Sequence, residues 1–466
     1  MDLKQSVVLF PTVGMGHLIP MVELAKLFDA HGFSVTVVVV DPPFDTSSSI
    51  DPFLPRVSAA NPSILFHRLP KIPSSKDTTF YHFDTLRMAS AMLLDFLRAS
   101  ERTLNVRALV LDMFCMAGLD VADELGVPSY FFFPSGAITL AAFLSLPALQ
   151  SELEEGSFRD LGDGAKVRLP GLPPVSVSDL PDDIPDRDDT NRELMSHLER
   201  LWGADGYIVN SFEWLEKRAV RALADGGSCV PGRRNPPVYC IGPLNANARE
   251  GASQGGGGGG ERHACLEWLD VQPGKSVVFL CFGSIAPLSV EQLKEIGAGL
   301  ERSGQRFLWV VRSPADDAEL EALVPEGFLE RTRGRGVAVK SWVPQDAVLA
   351  HAAVGAFVSH CGWNSALEAA AAGVPVVAWP LYAEQRMNKV LLVEEAKVAV
   401  AVEGYDKGVV SAEEVERKIR WLMESEEGKA VRDRAAEAKE EAAAARREGG
   451  SSVLAWLELV KSLRKD

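Results

Sequence analysis

Two α/β domains, each a doubly wound parallel sheet and facing one another across a cleft, are the fold that this 466-residue sequence predicts. Three observations lead there. Continuous β-branched runs alternate with amphipathic helical stretches, the signature of parallel strands buried on both faces. The alternation occurs twice, on either side of six consecutive glycines at 255–260. At about 150 residues per domain, the length suits two or three domains with large cores.

The first half opens with an apolar run at 7–10, a turn carrying Gly14 and Gly16, a helical segment at 18–30 and the strand SVTVVVV at 34–40. Further strands are expected at 64–68, 108–111, 129–133 and 207–209, with helices such as 83–100 and 137–144 between them. The segment 251–263 has no apolar periodicity and reads as a flexible loop or linker. Beyond it, strands are expected at 276–282, 306–312, 337–340, 354–359 and 374–379, and a helix at 289–303. The boundaries follow: a first Rossmann-like domain at 1–245, a linker at 246–263, a second such domain at 264–450 and a closing helix at 451–466. The stretch 430–447 is a helix with a solvated face, ended by GGSS at 449–452. In the closing helix Val453, Trp456, Leu457, Val460 and Leu463 form one apolar stripe that has to be covered. Packing across the domain boundary is the expected cover, and a partner protein is the other reading.

With 48 Lys+Arg against 64 Asp+Glu the net charge is −16, which gives no reason to bind nucleic acid or an anionic membrane surface. The first apolar run stops at Pro11, short of a secretion signal, and the greasy stretch 137–149 falls short of the roughly 20 residues of a membrane span. Six cysteines form neither a CxxC pair nor a zinc cluster, so reduced thiols in the cytosol are expected.

The turn at 11–20 offers G-x-G but places Ile19 where a third glycine would close a dinucleotide motif. What it does supply is His17, at the carboxyl end of the first strand, where open α/β folds bind ligands. Such a histidine can act as general base or simply satisfy the helix N-terminus. Asp112, ending the strand at 108–111, could fix its tautomer, or could cap the helix that starts near Cys115.

The strongest signal runs from Trp342 to Gln385: WVPQDAVLAHAAVGAFVSHCGWNSALEAAAAGVPVVAWPLYAEQ. A strand at 354–359 passes through His360-Cys361-Gly362-Trp363-Asn364-Ser365 into a helix, whose N–H groups and dipole make an anion site. His360, Asn364 and Ser365 add donors for a diphosphate, and Glu368 sits where a carboxylate could take both hydroxyls of a ribose. Taken singly, Trp342 and Trp363 could be core residues and Gln385 a first-turn helix residue; Cys361 reads as packing.

These 44 residues resemble the signature box of the plant family 1 UDP-glycosyltransferases, enzymes with the GT-B fold. The likeness extends to GMGHLIP (14–20), the Asp112 region, VNSFEWLE (209–216), IGPL (241–244) and FGS (282–284). The resemblance implies that Trp342 stacks on uracil, the Val343 backbone pairs with its edge, and Gln345 and Glu368 hold the ribose. It implies that Ser284, His360, Gly362, Asn364 and Ser365 hold the diphosphate, and that Glu384 and Gln385 bind sugar hydroxyls. Trp363 with Gln385 accompanies glucose in the family, so UDP-glucose is the implied donor substrate, with no cofactor.

The expected reaction is direct displacement: His17, oriented by Asp112, deprotonates an acceptor hydroxyl that attacks the sugar, giving a β-glucoside. Met15, Met113, Phe114 and the segment 81–92 are expected to line an apolar acceptor pocket on the first domain. The whole sequence resembles the subgroup acting on flavonoids and other phenolics, while a hormone or terpenoid acceptor and C- or N-glycosides stay open. Asp186-Arg187-Asp188 is a D-x-D, but in a Pro- and Asp-rich loop without a preceding buried strand, so metal independence is expected. A cytoplasmic monomer is the expected state. A nicotinamide oxidoreductase and a non-catalytic UDP-sugar-binding protein are the alternatives of other classes.

Overall fold

The valine- and phenylalanine-rich runs of the first half become parallel strands because each is apolar on both faces and is flanked by helices that cover them. The computed structural model describes residues 4–41, 50–72, 81–153, 156–162, 164–224, 229–244, 262–283, 288–313, 318–340 and 342–464. Strands β1 (Gln5–Phe10), β2 (Ser34–Val39), β3 (Ile64–Arg68), β4 (Asn105–Asp112) and β5 (Ser129–Phe133) share one sheet. A two-stranded antiparallel hairpin, β6 (Lys166–Val167) with β7 (Val175–Ser176), follows, and then β8 (Gly206–Val209) and β9 (Val238–Cys240) complete the first sheet. Its order is β3-β2-β1-β4-β5-β8-β9, parallel throughout the described pairings.

The second sheet holds β10 (Val277–Cys281), β11 (Arg306–Val310), β12 (Gly336–Val339), β13 (Val354–Ser359), β14 (Val376–Ala378) and β15 (Ala399–Ala401) in the order β12-β11-β10-β13-β14-β15. Both sheets therefore change winding direction beside their first strand, between β1 and β4 and between β10 and β13. Crevices for ligands open outside the carboxyl ends of strands at such reversals. Register places Phe10 beside Leu111 and Cys281 beside Ser359, so the residues leaving β1 and β4, and those leaving β10 and β13, emerge side by side.

The closing helix, Ser451–Leu463, returns to the first domain. Trp456, Leu459, Val460 and Leu463 join the core formed by β1, β2 and the helix Met15–Ala30, with the rings of Phe28 and Trp456 4.7 Å apart. Ser452 Oγ donates to the Gly242 carbonyl at 2.6 Å. The stripe differs in one place from the sequence expectation: Leu457 is exposed and Leu459 is buried in its stead. Val453, also of the expected stripe, is half-buried.

Three elements escape sequence periodicity. Strands β9 and β15 have three residues each, too few to show a period, and β6–β7 has two per strand. Two helices also differ in extent. The helix expected at 137–144 runs from Ala137 to Ser151 through Pro147, its first two turns buried all round. Beyond the box, the helix Gln385–Val390 passes into a wider turn at Leu391–Glu395. Most of the expected linker, 246–261, lies outside the described residues, as does Ser284. Among the described residues no helix is long and apolar enough to cross a membrane.

Candidate active site

His17 stands in the first turn of the helix Met15–Ala30, directly after β1, and Asp112 is the last residue of β4. The sheet reversal brings them together: His17 Nδ1 lies 2.9 Å from Asp112 Oδ2, with the carboxylate fully buried and the imidazole a quarter exposed. The other carboxylate oxygen accepts the Phe114 backbone N–H at 3.2 Å, which fixes the aspartate side chain. A carboxylate can only accept, so Nδ1 carries the proton and Nε2 is left with a lone pair. Burial disfavours the imidazolium, but Asp112, helped by the charge of Glu384 from the other domain, overrides it and raises the His17 pKa above its ordinary 6.5. Phe114, ring to ring with His17 at 5.6 Å, makes a wall beside the base.

At the second reversal, His360 follows β13 and is sandwiched between two glycines, since a Cβ on either Gly283 or Gly362 would run into its Nε2. Burial pushes its pKa down to about 4, partly offset by the Cys281 backbone. The imidazole is therefore neutral at pH 7 and can offer a hydrogen bond but no charge. Its Nδ1 is buried with no hydrogen-bond partner among the described residues. The field comes instead from the helix Trp363–Ala372, whose N-terminus has no side-chain cap. Cys361 takes a left-handed φ of 64° in this turn, a conformation costly for a residue with a Cβ. Its thiol is buried and pushed up to about 12, so it is no nucleophile.

Around this helix the predicted donor-box residues gather. Gln345 Nε2 donates to Glu368 at 2.6 Å and to Ser365 Oγ at 2.9 Å. Burial raises the Glu368 carboxyl to about 7, against the Gln345 hydrogen bond, with Asp346 adding to the rise. Trp342 is 64% exposed and meets His263 edge-on at 6.5 Å, which leaves the indole as an open platform. Val343 is buried beneath it. Gln385 Oε1 accepts the backbone N–H groups of Leu381 and Tyr382 at 2.9 and 3.1 Å, holding the loop in front of it and leaving the amide NH₂ as the donor half. Glu384 is half-buried, its pKa raised by burial and lowered in part by His17.

Two side chains of the box reach across to the first domain. The Asn364 amide donates to the Gly16 carbonyl at 3.0 Å, one residue from His17. The Trp363 indole N–H donates to the Asn210 carbonyl at 2.7 Å, so this side chain, 3% exposed, joins the domains. A neutral-donor turn, an uncapped helix, a paired carboxamide and carboxylate and an open indole lie along one stretch of the chain, 342–372. Such a set suits diphosphate, ribose and a flat base in succession.

The family profile described as UDP-glucoronosyl and UDP-glucosyl transferase matches residues 259–430. A UDP-glycosyltransferase 88B1 of Stevia rebaudiana is 44% identical over 98% of this chain and 99% of its own length. The chain belongs to the UDP-glycosyltransferase family. The anthocyanidin 5,3-O-glucosyltransferase of a Rosa hybrid cultivar is 41% identical over 98% of each chain. The structure of Phytolacca americana UGT2 with UDP-2-fluoro-glucose and pterostilbene superposes with a TM-score of 0.85 at 36% identity, over 99% of this chain and 100% of that one. The two-domain architecture of this UDP-glycosyltransferase is accordingly GT-B.

The residues expected to line an acceptor pocket come together only in part. Phe83, Leu86, Arg87 and Phe114 line a cavity of ≈130 Å³ together with residues of the helix Asp189–Arg200, which the sequence did not point to. Met113 is not brought there. Its N–H continues the β4–β5 ladder to the Phe132 carbonyl, and its side chain is buried in the core. Met15 is half-buried against the opposite face of the first sheet. In the D-x-D, Asp186 is held by Arg159, with one bond of 2.7 Å, and Asp188 caps the helix Asp189–Arg200 through the Asn191 N–H at 2.8 Å.

Sequence reasoning missed Glu216, the last residue of VNSFEWLE. Fully buried, its carboxylate accepts the N–H groups of Ala137 and Ile138 at 2.8 Å each, capping the helix Ala137–Ser151 from outside. Burial raises it to about 7 despite those hydrogen bonds. A Cβ at Gly136 would meet both Glu216 Oε1 at 2.5 Å and the Trp363 ring at 2.9 Å. A second bridge between the domains was equally invisible: Lys389 Nζ pairs with Asp179 at 2.7 Å, and Tyr405 donates its hydroxyl to the same oxygen at 3.1 Å.

Proposed function

We propose that this UDP-glycosyltransferase moves glucose from UDP-glucose to a hydroxyl of a small phenolic acceptor, a flavonoid or a relative of one, with inversion to the β-glucoside. The observation that carries the reading is the His17–Asp112 pair at one sheet reversal, tied through Gly16 and Asn364 to the uncapped helix at the other. That juxtaposition sets a base and a leaving-group cradle on opposite sides of one small space.

In this reading Trp342 stacks on uracil with the Val343 backbone at its edge, and Gln345 with Glu368 takes the ribose. The diphosphate lies at the first turn of the helix Trp363–Ala372 against His360, Gly362, Asn364, Ser365 and Ser284. Glu384 and Gln385 take sugar hydroxyls. His17 Nε2 accepts the acceptor proton as the acceptor oxygen forms its bond to C1 and the C1–O bond to UDP breaks, the electron pair leaving on the diphosphate. Asp112 keeps the imidazole in the accepting tautomer and stabilises the imidazolium. The helix N–H groups gain most as negative charge grows on UDP, so they lower the barrier rather than merely bind.

The relatives support the substrate classes: an anthocyanidin glucosyltransferase, and a structure holding UDP-2-fluoro-glucose with the stilbene pterostilbene. The reading includes a metal-independent reaction, a cytoplasmic location and a monomer. Incubation with UDP-glucose and a panel of flavonoids tests it: a product heavier by one hexose, with the anomeric coupling of a β-glucoside, is expected and should form in EDTA. Absence of transfer to any phenol, or an α-linked product, would overturn it.

A further inference from the structure

We propose that His197, with Glu193, reads a second hydroxyl of the acceptor, remote from the one that is glucosylated, and thereby selects neutral polyphenols over carboxylated ones. This rests on the phenol-glucosylating reading above and deepens it. Phe114 belongs both to the wall beside His17 and to the lining of the ≈130 Å³ cavity, so an acceptor whose reacting oxygen is at His17 extends over Phe114 into that cavity. Its far wall is the ring of Phe83 stacked on His197, 4.1 Å apart and 19° from parallel.

The polar groups of the cavity are of two kinds. Four of them cancel in pairs: Arg87 with Asp84 at 2.7 Å, and Arg200 with Asp120 at 2.5 Å. A guanidinium already engaged with a carboxylate offers little to a second anion, so the cavity has no advantage for an acidic acceptor. The remaining two are His197 and Glu193. His197 Nδ1 lies 2.8 Å from the Glu193 carbonyl, which can only accept, so this nitrogen carries a proton and the Nε2 lone pair is the ring's acceptor. Glu193 contributes a carboxylate, also an acceptor. Both groups are therefore complementary to a hydrogen-bond donor such as a phenolic O–H, whereas a carboxylate, which has no proton to give, finds no partner in them. Both residues are half-buried, so an acceptor that covers them without offering a hydroxyl hides their polar atoms from water unpaired, and a site built to accept from a hydroxyl disfavours such an analogue.

The test uses the full chain with UDP-glucose and three acceptors: 7,4′-dihydroxyflavone, 7-hydroxyflavone and the 4′-carboxylate of the latter. In the unaltered enzyme kcat/KM should be at least ~10-fold higher for the dihydroxy compound than for either other. His197→Phe keeps the stack on Phe83 but removes the acceptor nitrogen; it should bring the first ratio close to one, chiefly by lowering kcat/KM for the dihydroxy compound, while the KM for UDP-glucose stays within about twofold. His197→Gln, which retains an acceptor, should restore part of the preference, and Glu193→Leu, which has none, should lower it with the stack untouched. An equal loss for both hydroxyflavones in these variants, an unchanged ratio, or a preference for the carboxylate overturns the proposal. Failure of the unaltered enzyme to glucosylate any of the three overturns the phenol-transfer reading itself.

Discussion

The indole N–H of Trp363 donates to the carbonyl of Asn210 across the domain boundary at 2.7 Å, with both groups buried. The residue that begins the helix Trp363–Ala372 is thus also the one that fixes this helix to the end of the first sheet. Asn364, next in sequence, makes the second crossing, to Gly16. Donor cradle and base are held in register by consecutive residues.

Trp363→Phe keeps most of the ring but leaves the Asn210 carbonyl buried without a partner, a cost of about 1–3 kcal/mol. The melting temperature should fall by several degrees, and the KM for UDP-glucose should rise because the helix loses its anchor. Thermal unfolding and donor titration at saturating acceptor measure both; a variant with native stability and native KM would contradict the anchoring role.

Gly136→Ala should be as damaging from the other side, since the added carbon is driven into the Glu216 carboxylate and the Trp363 ring. Overpacking of this kind costs about 1–3 kcal/mol. Restored stability in the double variant Gly136→Ala with Trp363→Leu, measured as a double-mutant cycle, would place the clash at the domain boundary.

The base must be unprotonated to work, and its pKa is raised above 6.5 by Asp112. The acid limb of kcat/KM should therefore fall at a pH above 6.5. In Asp112→Asn the opposing effect of burial is left alone, so the limb should move to lower pH while the maximal rate drops. A limb that stays in place after this substitution would show that another group titrates.

His17→Ala should reduce transfer by about 10²–10⁴-fold, the usual contribution of a general base. UDP affinity, read by calorimetry, should change less than twofold, because the imidazole's hydrogen bond is to Asp112 and not to Gln345 or Glu368.

Glu368 is raised by burial to about 7. As a carboxylate it accepts ribose hydroxyls; once protonated it accepts less well. UDP binding should weaken as pH falls from 8 to 6, and Glu368→Gln should bind more weakly but with a flat profile. Equal slopes for the two proteins would remove Glu368 from the ribose site.

The fold was legible because each parallel strand announces itself by an apolar run, and because both sheet reversals follow from strand order alone. The His17–Asp112 pairing was legible for the same reason: residues ending β1 and β4 emerge side by side. The neutrality of His360 was not legible, since it depends on how closely Gly283 and Gly362 enclose the ring, which spacing does not encode. Met113 was misplaced because the ladder extends one residue beyond β4, turning that side chain inward. Glu216 and the Asp179–Lys389–Tyr405 bridge join residues distant in sequence, and their meeting depends on the final packing of separate elements. The cavity wall from the helix Asp189–Arg200 was invisible on the same grounds.

The return of the closing helix to the first domain means that the polypeptide crosses between lobes twice. Chimeras that exchange halves with a relative by one cut at the glycine run would bring a foreign Trp456 against the native Phe28. Recombination libraries aimed at mixing acceptor and donor preferences need a second splice ahead of Ser451, so that the tail travels with the lobe it seals.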